Sequence, residues 1–316
     1  MKILTFNILA QVFANVEKYY PPGTNVDATF RRNKFDCFLS RIVDSLDVIG
    51  LQEVSNNTTQ VVNGESYFRP GEYPHISSYL SQDFHCFFAP HSPSYWEKYY
   101  DADPTSPFAY IDNGNALFLR KSVFRCVSFR TASMSSGQRV PIADTTYQGL
   151  PLSFAVVHLD SDVPHNRKQD LEDLMNLHLA SGNCVVLGDY NSPTNEGNLV
   201  DIIQKSGLVD LITTLANQFQ WPIDDRTRPD STGTYNSNKF ELPIDHICAR
   251  GLTVNPVLAN GVHGTVSGTK TGVIDFLLWQ NYPINGGKKD PNEPGRFSAL
   301  LEACGSDHFP VVVTVN

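Results

Sequence analysis

Short apolar runs that stop at polar residues recur along the whole chain. Val, Ile, Leu and Phe dominate these runs, which is typical of strands buried in a sheet. The pattern predicts strands over Ile3 to Leu9, Asp47 to Gln52, Ala116 to Leu119, Phe154 to Val157, Cys184 to Leu187, Ile244 to Ala249 and Val311 to Val315. The polar residues at the ends of these runs need a reason, because Asn and Asp are poor strand formers.

Apolar residues between the strands recur with the 3.6-residue period of an amphipathic helix. One such stripe consists of Phe35, Phe38, Leu39, Ile42, Val43 and Leu46. A second helix is predicted from about Arg167 to Ala180, and a third after Asn195. Because strands and helices alternate with no repeat or polar linker between them, we expect a single domain over residues 1–316. The expected fold class is α/β, with sheet layers inside and helices outside.

The composition is that of a globular protein, with 41% hydrophobic and 18% charged residues. The 6 cysteines include no CxxC pair, which favours free thiols in a reducing compartment over a zinc site or disulfides. No apolar run approaches the roughly 18 residues that a membrane span requires, and the opening residues lack the pattern of a signal peptide. We therefore expect an intracellular protein of the cytoplasm, with the nucleus as an open alternative and no membrane partner.

The balance of charge limits the kinds of partner. The chain has 24 basic and 33 acidic side chains and a net charge of -9. Proteins that coat nucleic acid by bulk electrostatics depend on clustered Lys and Arg, so the composition argues against that class. A local pocket for a phosphate remains compatible with it.

A set of polar residues lies at or beside the ends of the predicted strands: Asn7, Glu53, His158, Asp189, Asn191, Asp245, Asp307 and His308. A buried carboxylate in such a place is unfavourable unless it is paired or coordinates a metal ion. Glu53 and Asp307 are oxygen ligands suited to Mg²⁺ or Mn²⁺, and they lack the cysteines or histidine triad that zinc prefers. One divalent ion is the simplest interpretation.

The ordered motifs TFNILA, LQEV, GNALFLR, VVHLDSD, VVLGDYNSP, PIDHI and GSDHFPV resemble those of the endonuclease/exonuclease/phosphatase superfamily. The resemblance extends from residue 3 to residue 315 and implies a four-layer α-β-β-α sandwich of the deoxyribonuclease I-like type. In motif wording the chain is most similar to the deadenylase, nocturnin and Angel-like branch. It departs from that branch at Phe30, Asn115, His246 and Gly305, where those proteins usually have Trp, Cys, an aromatic residue and Pro.

The resemblance also implies roles for the polar residues. Glu53 is implied as the main metal ligand, with Asn7 and Asp307 completing the site directly or through water. Asp189 is implied to orient and deprotonate the attacking water, and Asn191 to donate to a phosphate oxygen that gains charge in the transition state.

Histidines complete the set that the resemblance implies. His308 is implied to contact the phosphate as an imidazolium held by Asp245, and His158 to be a second phosphate donor. The expected reaction is in-line attack by water without a covalent intermediate. For each of these residues the alternative is a local structural role, such as a capped loop or a satisfied core histidine.

Further candidates for contacts with a substrate are Asn115, Arg31 and Trp96. Asn115 in the turn-like word DNGN fits a turn amide as well as a substrate contact. Arg31, next to Arg32 near the start of the first predicted helix, fits either a phosphate clamp or a solvated helix face. Trp96 lies in a long aromatic loop that fits either base stacking or closure of the core.

The sequence therefore predicts a Mg²⁺-dependent (or Mn²⁺-dependent) phosphoesterase that acts on a nucleic acid or nucleotide. The 3′ end of single-stranded RNA is the favoured substrate. A lipid or inositol phosphate hydrolase and a DNA endonuclease are alternatives with the same chemistry. An inactive binding module is the alternative outside enzymes, and the complete set of site residues argues against it.

Overall fold

The computed structural model describes residues 1–10, 25–62, 65–92, 108–125, 127–192, 194, 199–211, 214, 235–236, 241–242, 244–252, 256–257, 301, 304–306, 308 and 310–315. Two predicted site residues, Trp96 and Asp307, lie outside the described residues. None of the helices in the described part of the chain combines the length and the apolar composition of a membrane-spanning segment.

Strands are the most numerous elements of the described residues. They are β1 (Lys2–Asn7), β2 (Val48–Val62), β3 (Glu65–Pro70), β4 (Phe84–Pro90), β5 (Phe108–Arg120), β6 (Ser128–Ser133), β7 (Arg139–Tyr147), β8 (Leu150–His158), β9 (Asn183–Asp189), β10 (Val209–Asp210), β11 (Tyr235–Asn236), β12 (Glu241–Leu242), β13 (Asp245–Arg250), β14 (Pro256–Val257) and β15 (Val311–Val315). The helices are α1 (Ala28–Ile42), α2 (Glu72–Leu80), α3 (Pro164–Asp173) and α4 (Val200–Lys205). A 3-10 turn, Val43–Ser45, follows α1, and a π-helical turn, Leu174–His178, follows α3.

The longer strands form two sheets. The first sheet is 7-stranded with the order β14-β15-β1-β2-β5-β4, and β3 pairs with β2 beside this path. The second sheet is 6-stranded with the order β10-β13-β9-β8-β7-β6. Each sheet contains one parallel pair, β1 with β2 and β8 with β9. The carboxyl ends of both parallel pairs therefore lie at a sheet edge where side chains from neighbouring strands meet.

Apolar side chains fill three interfaces between layers. A central core lies between the two sheets. A second core packs α1 and α2 on the first sheet, with Phe38 and Ile76 among its buried residues. A third packs α3 and α4 on the second sheet, with Leu171 and Ile202. Two sheets covered by helices on their outer faces make a four-layer sandwich, so the expected α-β-β-α fold is confirmed.

Alternation along the central strands determines where their polar ends point. Ile3 in β1, Val156 in β8 and Leu187 in β9 belong to the central core. Asn7, His158 and Asp189 follow these core residues in the same strands, each at an even number of positions. These polar residues therefore continue the surface that faces the opposite sheet. The sheets bury apolar residues along most of their length and present polar residues to each other at one end.

Several elements extend beyond the predicted ones. Strand β2 continues well past Gln52, because register shifts between Leu51 and Val54 let pairing with β5 resume after a bulge. The second predicted helix begins at Pro164, before the predicted start, since proline is well accommodated in the first turn of a helix. The first helix is confirmed and is capped by Asp27, whose side chain accepts hydrogen bonds from two backbone N–H groups at 2.9 Å.

A buried carboxylate on α3 fixes the turn between β6 and β7. Asp170 is 1% exposed. It accepts hydrogen bonds from the backbone N–H of Ser136 at 3.1 Å and from its hydroxyl at 2.6 Å. Burial raises the pKa of Asp170 from its usual 3.8 to about 6, although the contacts with Ser136 oppose that shift.

We expect Asp170→Asn to change how stability depends on pH. Because the folded carboxyl group binds a proton more readily than the unfolded one, the wild-type free energy of unfolding falls as pH rises from about 4 to about 6, by at most about 3 kcal/mol. The variant lacks this contribution, so its stability relative to wild type rises over the same interval. Urea unfolding at pH 4 and pH 7 measures the difference.

The neighbouring Asp173→Asn is the matched control. Hydrogen bonds from Ser135 and Gln169 lower the pKa of Asp173, so its contribution is lost as pH falls and has the opposite sign. A wild-type protein and an Asp170→Asn variant with parallel pH profiles would contradict the assignment.

Candidate active site

The amide of Asn7 joins the two sheets. Asn7 ends β1 and is 1% exposed. Its Nδ2 donates to Glu53 Oε1 at 2.9 Å and to Asp189 Oδ2 at 3.0 Å. Its Oδ1 accepts from the backbone N–H of Leu9 at 3.0 Å. One side chain therefore brings together a carboxylate from β2 and a carboxylate from β9.

Glu53 reaches this position through the bulge in β2. Its φ of 57° lies in the left-handed region, which is uncommon for a residue with a side chain. Its Oε2 accepts a hydrogen bond from the backbone N–H of Ala10 at 2.8 Å. Leu9, next to Ala10, has a φ of 58°. Backbone strain of this kind persists only where surrounding contacts hold it, and it clusters at functional sites.

Asp189 lies at the centre of the site. It is 1% exposed, and its Oδ1 accepts from the backbone N–H of Asn191 at 2.8 Å. Asn191 has a φ of 49°, and its side-chain amide donates to the carbonyl of Leu159 at 2.8 Å. Burial raises the pKa of Asp189, and the charge of Asp245 raises it further. The nearby histidines and the amide of Asn7 oppose this shift.

His308 and Asp245 form a buried pair beside Asp189. His308 Nδ1 lies 2.8 Å from Asp245 Oδ2, within hydrogen-bond distance. Asp245 faces Asp189 in the register of β13 with β9, and His308 Nε2 is 3.7 Å from Asp189 Oδ2. The imidazole therefore stands between two carboxylates, and in its protonated form it compensates their charge.

The segment before His308 is attached to β1. The hydroxyl of Ser306 donates to the backbone carbonyl of Asn7 at 2.6 Å and accepts from the backbone N–H of His308 at 3.2 Å. Gly305, with a φ of 79°, passes so close to α1 that a Cβ would lie 2.2 Å from the carbonyl oxygen of Arg31. Only glycine fits this approach.

A second histidine completes the cluster from β8. His158 Nε2 lies 3.7 Å from Asp189 Oδ2 and 3.9 Å from Glu53 Oε1. The structure thus brings six of the predicted residues into one set of contacts: Asn7, Glu53, His158, Asp189, Asp245 and His308. Asn191 adjoins them through the backbone.

The donor atoms of the cluster form two groups. On one side lie the carboxylate oxygens of Glu53 and Asp189, ligands of the kind that Mg²⁺ or Mn²⁺ prefers. Asn7 turns its amide nitrogen towards both carboxylates, and its Oδ1 towards the backbone N–H of Leu9. On the other side, ligand atoms of Asp189, Asp245 and His308 lie within 4.8 Å of one another. Because the imidazole already pairs with Asp245, the all-oxygen side is the better fit for a hard cation.

Two further predicted residues are buried away from solvent. Arg31 is 4% exposed and donates from Nη1 to the carbonyls of Leu9 and Ile8. Its guanidinium therefore holds the loop that follows β1. Asn115 is fully buried, and its Nδ2 donates to the carbonyl of Arg139 at 3.4 Å, between the two sheets.

Two residues near His158 were not predicted from the sequence. His91 Nδ1 accepts from the backbone N–H of Arg139 at 3.1 Å. Burial, together with the charges of His158 and Arg139, lowers the pKa of His91 to about 3, so this imidazole is neutral. Neither residue belongs to a recognisable motif. The signal for Arg139 is its even spacing from Ala143, a residue of the central core.

Two sheets with helices outside, and a polar cluster where the central strands end, define the deoxyribonuclease I-like class of α/β sandwich. The chain belongs to the Endonuclease/Exonuclease/phosphatase family, whose model matches residues 4–308. Members of this family are hydrolases of phosphate esters and generally use a divalent metal ion. No curated protein sequence matches the chain.

Solved structures share the fold at low sequence identity. The human nocturnin catalytic domain with bound sulfate has a TM-score of 0.58 and 18% identity, over 100% of this chain and 94% of that one. ANGEL2, a 2′,3′-cyclic phosphatase in complex with adenosine-2′,3′-vanadate, has a TM-score of 0.55 and 15% identity, over 99% and 94%. D. rerio TDP2 with a single-stranded DNA product has a TM-score of 0.51 and 16% identity, over 100% and 98%.

The contacts of Arg31 lead to a stability prediction. Arg31→Met leaves the carbonyls of Ile8 and Leu9 without this buried donor, and each unsatisfied group costs about 1–3 kcal/mol. We expect the free energy of unfolding, measured by urea titration, to fall by about 2–4 kcal/mol.

Arg41→Met on the same helix is the control. Arg41 is exposed, so its substitution is expected to change stability by no more than about 0.5 kcal/mol. Equal losses in the two variants would show that the buried guanidinium has no special role.

Proposed function

We propose that this protein is a divalent-metal-dependent phosphoesterase that hydrolyses a phosphate ester of a nucleic acid or nucleotide by in-line attack of water. The observation that carries the proposal is the shared contact of Asn7 with Glu53 and Asp189, with His158 and His308 both 3.7 Å from Asp189 Oδ2. Oxygen ligands, a buried carboxylate and two histidines then surround one position. Such a combination can bind a metal ion, accept a proton from water and stabilise charge on a phosphate.

Glu53, Asn7 and Asp307 are the proposed metal ligands, of which Asp307 lies outside the described residues. Asn7 would bind the ion through Oδ1, after a rotation of its amide that exchanges the positions of Oδ1 and Nδ2. A Mg²⁺ or Mn²⁺ ion bound there would neutralise charge on the scissile phosphate and on the departing oxygen. The hydrogen bond from Ala10 N–H to Glu53 Oε2 fixes the orientation of this carboxylate. Contacts of this kind hold ligands in place before a metal ion binds.

Asp189 is the proposed base. Its Oδ1 is occupied by the Asn191 N–H, and its Oδ2 faces Asn7 and the two histidines, so that oxygen is the one placed to accept a proton from water. Its raised pKa makes it a stronger base than an exposed aspartate. The second N–H of the Asn191 amide is the proposed donor to a phosphate oxygen.

The histidines are the proposed cationic donors to the phosphate. His308 is oriented through Nδ1 by Asp245, which leaves Nε2 directed towards Asp189 and the reacting position. His158 Nε2 lies between the carboxylates of Glu53 and Asp189. Both rings thus direct Nε2 towards Asp189 Oδ2, where they would stabilise developing negative charge.

The ligands bound in similar structures favour a nucleotide-containing substrate. The bound molecules named for ANGEL2 and TDP2 are an adenosine vanadate and a DNA single strand. At 15% and 16% identity this likeness concerns the fold, so it supports the substrate class only in general terms. The net charge of -9 disfavours a long duplex and favours short or single-stranded substrates. A lipid or inositol phosphate hydrolase and a DNA endonuclease are the alternatives.

Substitution of the central residues tests the chemistry. We expect Asp189→Asn to lower kcat by about 10²–10⁴-fold on any ester that the wild type hydrolyses, because the general base is lost.

The metal site is tested by a second variant. Glu53→Gln is expected to abolish both activity and the rise in Tm that Mg²⁺ causes in the absence of substrate. A panel of phosphodiesters and phosphomonoesters, with the products identified, measures activity, and a thermal shift assay measures metal binding.

The exposed carboxylate of Asp201 on α4 provides the control, since Asp201→Asn removes a charge far from the cluster. If wild type and Asp189→Asn hydrolyse the whole panel equally poorly with Mg²⁺ and Mn²⁺, the protein is a binding module and the enzyme proposal fails.

The preferred substrate can be tested separately. We expect an adenosine-rich RNA oligomer to be shortened from its 3′ end faster than duplex DNA is nicked, because the acidic chain has little bulk attraction for a duplex. Gel analysis of an end-labelled RNA and of a supercoiled plasmid, at equal enzyme and salt concentrations, measures both rates. Comparable nicking of the plasmid would favour the DNA endonuclease alternative.

A further inference from the structure

Arg139 is a half-buried cation at the first position of β7 that has no ion-pair partner in the described part of the chain. Several other arginines are already engaged within the protein. Arg130 pairs with Asp144 at 2.9 Å, while Arg120 and Arg167 donate to backbone carbonyls. A half-buried guanidinium without such contacts, near the polar cluster, is available for a ligand.

The backbone of Arg139 is held on both sides. Its N–H donates to His91 Nδ1 at 3.1 Å, and its carbonyl accepts from Asn115 Nδ2 at 3.4 Å. Both partners belong to the first sheet or directly follow it, so the start of β7 is attached across the space between the sheets. These contacts fix the position of the Arg139 backbone, while the side chain can adjust its conformation to a ligand.

Arg139 and His158 lie at the same end of the second sheet. The paired residues of β7 and β8 end at Ile142 and Ala155, and three further residues along the two antiparallel strands lead to Arg139 and His158. The pKa of His91 responds to the charges of both residues, which agrees with this proximity.

Arg139 adjoins the cluster without belonging to it. No hydrogen bond or ion pair within the described residues links its guanidinium to Glu53, Asp189 or Asp245. When one phosphate reacts at the cluster, this guanidinium therefore remains available to bind a neighbouring anionic group of the same substrate. The planar guanidinium forms two parallel hydrogen bonds with a phosphate, which is the group that nucleotide chains repeat.

We propose that Arg139 forms a second anion subsite, which binds a phosphate group next to the one that is hydrolysed. The proposal rests on the proposed function and narrows it to substrates with at least two phosphate groups, as in a nucleic acid strand or a nucleoside bisphosphate. A single-phosphate ester occupies the cluster alone and gains nothing from Arg139.

Binding measurements test the subsite independently of turnover. Asp189→Asn serves as the parent, and Arg139→Gln, Arg139→Lys and Lys205→Gln are added to it singly. Isothermal titration calorimetry with Mg²⁺ present compares AMP with adenosine 3′,5′-bisphosphate. Lys205 is an exposed residue of α4, so Lys205→Gln controls for the loss of one positive charge.

We expect the parent to bind the bisphosphate about tenfold or more tightly than AMP, as a charge-assisted hydrogen-bonded pair provides. Arg139→Gln is expected to remove that preference and to change the Kd of AMP by less than about twofold. Arg139→Lys retains part of it, because a lysine keeps the charge but lacks the planar fork. Lys205→Gln retains all of it.

Three results would overturn the proposal: no preference in the parent, no binding of either nucleotide, or an equal loss for both nucleotides in Arg139→Gln. Failure of the proposed function gives a different result from failure of the subsite proposal. In that case the wild type hydrolyses no ester of the panel, whereas the preference for the bisphosphate and its dependence on Arg139 persist.

Discussion

The shared hydrogen bonds of Asn7 are the interaction on which the site depends. A single amide donates to carboxylates from both sheets, and each of these carboxylates is largely buried. Two carboxylates held this close repel each other, and burial adds to the unfavourable energy. The amide and the histidines on either side of Asp189 offset that energy. The two sheets must therefore pack in one relative position, since a small slide would separate the amide from one of its acceptors.

The loops around the cluster are held by arginines and by close backbone contacts. Arg31 binds the carbonyls of the loop after β1, and Arg167 binds those of Asp160 and Ser161 after β8. A Cβ at Gly188, beside Asp189, would lie 1.9 Å from the carbonyl oxygen of Val157. The strained φ of Glu53 is sustained within this framework. The helices on the outer faces thus contribute to the geometry of a site that they do not touch.

The sequence was informative about the fold because alternation and periodicity are local properties. Polar residues that end apolar runs placed Asn7, His158 and Asp189 at strand ends. Parallel pairing then brought His158 beside Asp189, and the packing of the two sheets brought Asn7 to them. The path of Glu53 was not predictable, since a bulge depends on pairing with β5. The burial of Arg31 could not be predicted either, because a helix-terminal arginine is equally compatible with solvent and with a buried loop. Arg139 became a candidate only when its backbone contacts with the first sheet were known.

The distribution of charge suggests how an acidic chain can accept an anionic substrate. The net charge of -9 repels phosphate at long range, so attraction has to come from groups within the cleft. His158 and His308 face Asp189, so Asp189 would balance part of any charge that they carry when protonated. In the proposed arrangement, a cation bound at Glu53 would add positive charge beside the scissile phosphate, and Arg139 would add it beside the neighbouring phosphate. Discrimination between substrates then follows from the number and spacing of their phosphate groups more than from their total charge, because only groups that reach these positions are stabilised.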